Sequence, residues 1–140
     1  MNYNLQVKTV IKFADGILYV RKRKQEVFLV RLKLIGERQA IVAVIDGEID
    51  HHSAEKIRTA VDTEINRTNA VNVIFDFRGV TFMDSSGIGV ILGRYRLVQP
   101  FGGEVVIFGA CESVRRVLDM SGRGKIVKIT TNLDNALMLI

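Results

Sequence analysis

The run Asp84-Ser85-Ser86-Gly87-Ile88-Gly89 holds two hydroxyls and two glycines at what reads as a loop turning into a helix. Hydroxyls in that position have two uses. They can cap the helix, because Ser is a favoured cap residue. They can also carry a phosphate, because the free N–H groups of a helix N-terminus attract an anion. The glycines let the backbone come close to another surface. Residue type alone leaves both uses open. A second group, Asp50-His51-His52-Ser53, stands at another strand-to-helix junction, where Asp50 or Ser53 is placed to cap. Zinc is not expected there: adjacent His side chains diverge and no further Cys or His cluster accompanies them.

The elements that must position these residues follow from the apolar spacing. Phe28–Ile35 and Ala40–Ile45 are rich in β-branched residues and flank Gly36-Glu37-Arg38-Gln39, which reads as a hairpin turn. Ala54, Ile57, Val61 and Ile65 keep the spacing of one helical face. Val71–Phe77 reads as a buried strand, alternating only weakly, as expected when both sheet faces are covered. The helix after Ser86 has Ile88, Ile91, Leu92, Tyr95 and Val98 as its apolar positions and stops before Pro100 and Gly102-Gly103. Glu104–Gly109 is a further strand. Glu112–Met120 is a helix with Val114, Val117 and Leu118 inward, and Ile126–Ile129 is a last strand. A closing helix over Asn132–Leu139 puts Leu133, Ala136, Leu137 and Ile140 on one side. Strands alternating with helices predict an α/β layer fold, largely parallel, opened by one antiparallel hairpin.

Composition narrows the function. With 48% hydrophobic and 25% charged residues the chain is not disordered, and its length suits one domain. No apolar run approaches the roughly 20 residues of a membrane span, and the N-terminus lacks a secretion signal. The single cysteine, Cys111, cannot staple the fold. A reduced, cytoplasmic domain is expected. The net charge of +5 is unevenly placed: residues 1–33 hold eight Lys/Arg against Asp15 and Glu26, and the remainder carries a charge of −1. Such a run reads as a solvated tail or edge strand. No aromatic interleaving accompanies it, so nucleic acid is not an expected partner, and neither is a membrane.

Several separated motifs carry a family resemblance. Asp84-Ser85-Ser86-Gly87-Ile88-Gly89, the following Val90-Ile91-Leu92-Gly93-Arg94-Tyr95, the upstream Gly47-Glu48-Ile49-Asp50-His51-His52 and the later Asp119-Met120-Ser121-Gly122 with Lys125-Ile126 resemble the STAS-domain anti-sigma factor antagonists, in family order and spacing from about Ala40 to Leu139. The His-His loop and the unbroken run from Asp84 to Tyr95 point to the sporulation branch. A general-stress antagonist, or another partner-switching regulator with a different sigma-factor target, is the alternative.

The resemblance implies an α/β STAS-type single domain over residues 29–140, a mixed, mostly parallel sheet with an N-terminal hairpin and about four helices packed on it. It implies a switch without cofactor. The unmodified antagonist binds an anti-sigma factor that is also a serine kinase and so frees a sigma factor. The kinase then phosphorylates the Ser after the motif Asp, here Ser85, and the complex dissociates. A metal-dependent serine phosphatase restores binding. By the same resemblance Asp50, His51, Asp84, Ser85, Ser86, Gly87 and Ile88 form the partner-binding surface. Arg123 and Gly124 replace more apolar residues, which implies a looser last loop.

Enzyme motifs fail. A nucleophile elbow needs Gly two residues before the Ser, but Met83 and Asp84 stand there. Gly93 falls one residue late for a dinucleotide fingerprint, and no Gly-Lys-Ser/Thr sequence is present. Residues 1–28 form an atypical basic extension. Leu5–Phe13 and Ile17–Arg21 can make a β-ribbon around Asp15-Gly16. Alternatively, codons for Lys24–Val27 can spell a ribosome-binding sequence ahead of a start at Leu29 or Val30, which would leave the extension as untranslated leader.

Overall fold

Alternating side chains on the central strands divide the sheet into two apolar faces, and the helices distribute themselves accordingly. A computed structural model describes residues 12–14, 17–22, 26–122 and 126–140. Strands β1 (Lys12–Ala14), β2 (Ile17–Lys22), β3 (Glu26–Ile35), β4 (Ala40–Ile49), β5 (Asn72–Met83), β6 (Val105–Phe108) and β7 (Lys128–Thr130) lie in the sheet in chain order. Pairing is antiparallel from β1 to β4 and parallel from β4 to β7. The parallel strands are joined by helices α1 (His51–Thr68), α2 (Ser85–Val98) and α3 (Glu112–Met120), and α4 (Leu133–Met138) closes the chain.

One face of the sheet presents Val30, Leu32, Ile41, Ala43, Ile45, Val73, Phe75, Phe77, Val105 and Ile107 to α1, α2 and α3. The intervening residues Ala40, Val42, Ile74, Val106 and Phe108 meet Ala136, Leu133, Leu137 and Ile140 of the α4 region on the other face. This is the period of two that a strand imposes. It explains why β5 shows little alternation: both of its faces are covered. The fold class is the expected one.

The hairpin, the three long helices and the closing helix stand where the sequence places them, with instructive differences at their ends. Gly36–Arg38 makes a single 3₁₀ turn and Gln39, at φ 48°, brings the chain back for Ile35 to pair with Ala40. Strands β4 and β5 run on to Ile49 and Met83, beyond the expected ends at Ile45 and Phe77. Register shifts at Val44/Asp46 and Gly47/Glu48 interrupt the alternation there, with Gly47 at φ 110°, so the pattern of apolar residues hides the continuation. The last strand is Lys128–Thr130, with Val127 buried just before it. Helix α2 buries Gly87, Val90, Ile91, Arg94 and Val98, so Leu92 is only partly covered and a charged residue occupies the inward stripe. The ribbon pairs Ala14 with Ile17, and β2 pairs with β3. The rest of the expected ribbon, residues 5–11 and 15–16, and the expected looser loop at Arg123 and Gly124 lie outside the described residues.

Candidate functional site

Parallel pairing of β4 with β5 places Ile49 opposite Met83, so the residues that follow, Asp50 and Asp84, leave the same edge of the sheet side by side. The Asp84 N–H donates to the Ile49 carbonyl at 3.1 Å and ties the two junctions together. Each junction then opens a helix in the same way, with an extended Asp as N-cap.

At α1 the Asp50 Oδ1 accepts from the N–H groups of His52 and Ser53, each at 2.9 Å. The Ser53 hydroxyl accepts from the Asp50 N–H at 2.9 Å and donates to the Glu48 carbonyl at 2.7 Å. Asp50 and Ser53 therefore both cap, reciprocally, with Ser in the place that Glu or Gln usually takes in a capping box. His51, the first helical residue, is exposed, as is His52; their rings meet edge-on with centroids 5.7 Å apart. Among the described residues no group of three or more His, Cys, Asp or Glu could hold a metal ion.

At α2 the Asp84 Oδ1 accepts from the Ser86 N–H at 2.8 Å. The cap is Asp84, and this corrects the expectation that Ser85 or Ser86 serves as one. Ser85 is instead the first residue of the helix and exposed, while Ser86 is half-buried. The Ser85 hydroxyl stands at the positive end of the α2 dipole, where three further oxygens on it would meet favourable charge.

Behind the hydroxyls the packing is tight. A Cβ on Gly87 would lie 2.3 Å from Met83 Cγ and 3.2 Å from Ile49 Cγ2, so only glycine lets α2 start this close to the strand ends. Further along, a Cβ on Gly89 or Gly93 would meet nothing within 4 Å. Ile88 is half-buried against the core and thus only partly available at the surface. Of the residues expected to act together, Asp50, His51, Asp84, Ser85, Ser86, Gly87 and Ile88 all fall on this one corner of the molecule, where the first turns of α1 and α2 leave adjacent strands.

Two residues that the apolar pattern did not single out join the helices below this corner. Arg94 of α2 is 5% exposed, and its Nε lies 2.8 Å from Asp62 Oδ1 of α1. The contact is ionic but not aligned as a hydrogen bond. Arg94 Nε and Nη1 and Asp62 Oδ1 are buried without a hydrogen-bond partner. Burial pushes the guanidinium below its ordinary value against the pull of Asp62, and neighbouring Arg58 adds to the lowering. Burial likewise raises the Asp62 carboxyl, offset in part by Arg94 and Arg58. The available signal was a charge falling on the inward stripe of α2.

A third helix start lies at the same edge of the sheet, after β6. Cys111 precedes α3 as its N-cap and is exposed, with Sγ 3.3 Å from the Ser113 hydroxyl.

The chain resembles proteins already known. Residues 31–136 match the STAS domain family. The anti-sigma F factor antagonist of Paenibacillus polymyxa is 38% identical over 107 residues, which cover 76% of this chain and 92% of that protein. The structure of the anti-sigma factor antagonist SpoIIAA in its unphosphorylated form aligns with a TM-score of 0.68 at 31% identity, over 79% of this chain and 95% of that one. The phosphorylated form of the Bacillus cell fate determinant SpoIIAA aligns with a TM-score of 0.62 at 30% identity, over 79% of this chain and 99% of that one.

Proposed function

Since the chain belongs to the STAS-domain family of anti-sigma factor antagonists, we propose that it works as a phosphorylation-controlled antagonist whose switch is Ser85. It is a regulator rather than an enzyme. Unmodified, it binds a cytoplasmic anti-sigma factor that is also a serine kinase, and a sigma factor is released. The kinase transfers a phosphate to Ser85 and the complex comes apart. A metal-dependent serine phosphatase reverses the modification.

The observation that carries this reading is the placement of Ser85: an exposed hydroxyl on the first residue of α2, beside a cap that leaves it unburdened. The existence of SpoIIAA in phosphorylated and unphosphorylated forms supports it. Phosphorylation adds about −1.5 to −2 charge. In the free protein the helix N-terminus and solvent accommodate that charge. In a packed interface it would face the Asp84 carboxylate and lose its hydration, and both effects favour dissociation. The surface proposed to be lost to the partner in this way comprises Asp50, His51, Asp84, Ser85, Ser86 and the exposed part of Ile88; Gly87, expected there too, is buried against Met83 and Ile49 and so supports this surface from beneath.

The switch is assigned to residues 29–140, and a native start at Leu29 or Val30 is proposed with it, a start that would cut β3 and remove Phe28 from the core. N-terminal sequencing of the native protein decides it, and a sequence beginning at Met1 would remove it. The functional test is affinity for the anti-sigma kinase encoded in the same genome. Ser85→Ala should bind as the unmodified chain does and resist switching off, and Ser85→Asp should bind poorly. Equal affinity of the two variants would refute the reading.

A further inference from the structure

We propose that Arg94 and Asp62 are positioning residues for the partner-binding surface, holding α1 and α2 at one spacing so that the Asp50–His51 and Asp84–Ser86 junctions present a single face. The proposal rests on the reading of those junctions as one docking surface.

Stability does not account for the pair. Arg94 is buried with Nε and Nη1 lacking hydrogen bonds among the described residues, and its ionic partner Asp62 is itself 32% exposed at the side chain. Burying a guanidinium on these terms is unfavourable, and an apolar side chain of similar volume would commonly pack there as well or better. What an apolar residue lacks is a counter-charge that it must keep within reach. A Met in that position is content with any neighbouring apolar surface, whereas the buried guanidinium keeps its counter-charge only while Asp62 of α1 stays within reach. Sliding one helix by a full turn, about 5.4 Å, would part the charges.

The leverage is favourable. Arg94 lies about two and a half turns below Ser85, and Asp62 about three turns below His51. At the top the two helix starts are tied by the Asp84 N–H on the Ile49 carbonyl. Both helices also pack on the sheet, and Arg94–Asp62 adds a charged link between them at the end away from the Asp84–Ile49 bond. Arg58, a cation close to the pair, repels Arg94 and so cannot substitute for Asp62.

The test uses the full chain with Arg94→Met and Arg94→Lys. Three quantities are read: the melting temperature, amide hydrogen exchange at Asp84 against Phe75 and Ile107, and affinity for the anti-sigma kinase of the same genome. Arg94→Met, which leaves the third-exposed Asp62 with Arg58 near it, should melt only a few degrees lower, yet exchange at Asp84 should accelerate while the two core strands stay protected, and kinase affinity should fall roughly tenfold. Arg94→Lys, which keeps a cation within reach of Asp62, should recover most of both. Unchanged exchange at Asp84 together with unchanged affinity in folded Arg94→Met would overturn the proposal, as would Arg94→Lys behaving no better than Met. If Arg94→Met does not fold, the double variant Arg94→Met/Asp62→Leu, which leaves no unpaired charge, is judged by the same criteria. A wild-type chain that does not bind the kinase would sink the functional reading, and exchange at Asp84 would still decide the positioning role.

Discussion

The Asp84 N–H donates to the Ile49 carbonyl at 3.1 Å, so the residue that caps α2 is bonded to the residue just before the cap of α1. That bond makes two loops, far apart in the chain, one mechanical unit. It also sets what substitutions at the junction should do.

Asp84 has two contributions that can be separated. Its carboxylate caps α2 through the Ser86 N–H, and its charge stands next to Ser85. Asp84→Ala should cost about 1 kcal/mol in urea unfolding, because a helix loses its cap. Asp84→Asn keeps an acceptor and should cost far less. Equal losses in the two variants would show that charge, not capping, is what Asp84 supplies to stability.

The glycines of α2 should divide by what surrounds them. Gly87→Ala forces a Cβ into Met83 and should destabilise by about 1–3 kcal/mol. Gly89→Ala and Gly93→Ala meet open space and should each stabilise the helix by up to about 1 kcal/mol. Urea midpoints that move the same way for all three would contradict this packing. Gly89 and Gly93 therefore cost the free protein stability.

Cys111 should be a reactive thiol. The Ser113 hydroxyl, first, and then the Val114 N–H stabilise the thiolate and hold the thiol below its ordinary value, with slight burial opposing them. A lowered value means that more thiolate is present at neutral pH. The pH midpoint of iodoacetamide alkylation should therefore lie below that of an ordinary cysteine, and Ser113→Ala should move it upward. A midpoint indifferent to Ser113 would contradict the arrangement.

Much of this molecule could be read from residue order because its local and global preferences agree. Ala54, Ile57 and Val61 face the sheet as their spacing requires, and the hairpin turns at Gly36–Gln39. The candidate site was legible because its residues are contiguous: Asp84 to Ile88 sit on one turn, and Asp50 and His51 on another. What escaped reading depends on tertiary partners. The continuation of β4 past Ile45 rests on pairing across register shifts, as at Asp46 with Gly79, which polar residues such as Asp46 and Glu48 do not advertise. The division of labour between Asp84 and Ser85 follows from where the helix begins, one residue after the extended Asp84. The inward turn of Arg94 depends on a carboxylate supplied by another helix.

The most direct test is phosphoryl transfer. The chain is mixed with ATP and the anti-sigma kinase of its own genome, and modified peptides are mapped by mass spectrometry. The account expects a single phosphate on Ser85, absent from Ser85→Ala. No transfer, with a kinase shown to be active on another antagonist, or a phosphate that persists in Ser85→Ala, would contradict the switch and leave a STAS domain that works by binding alone.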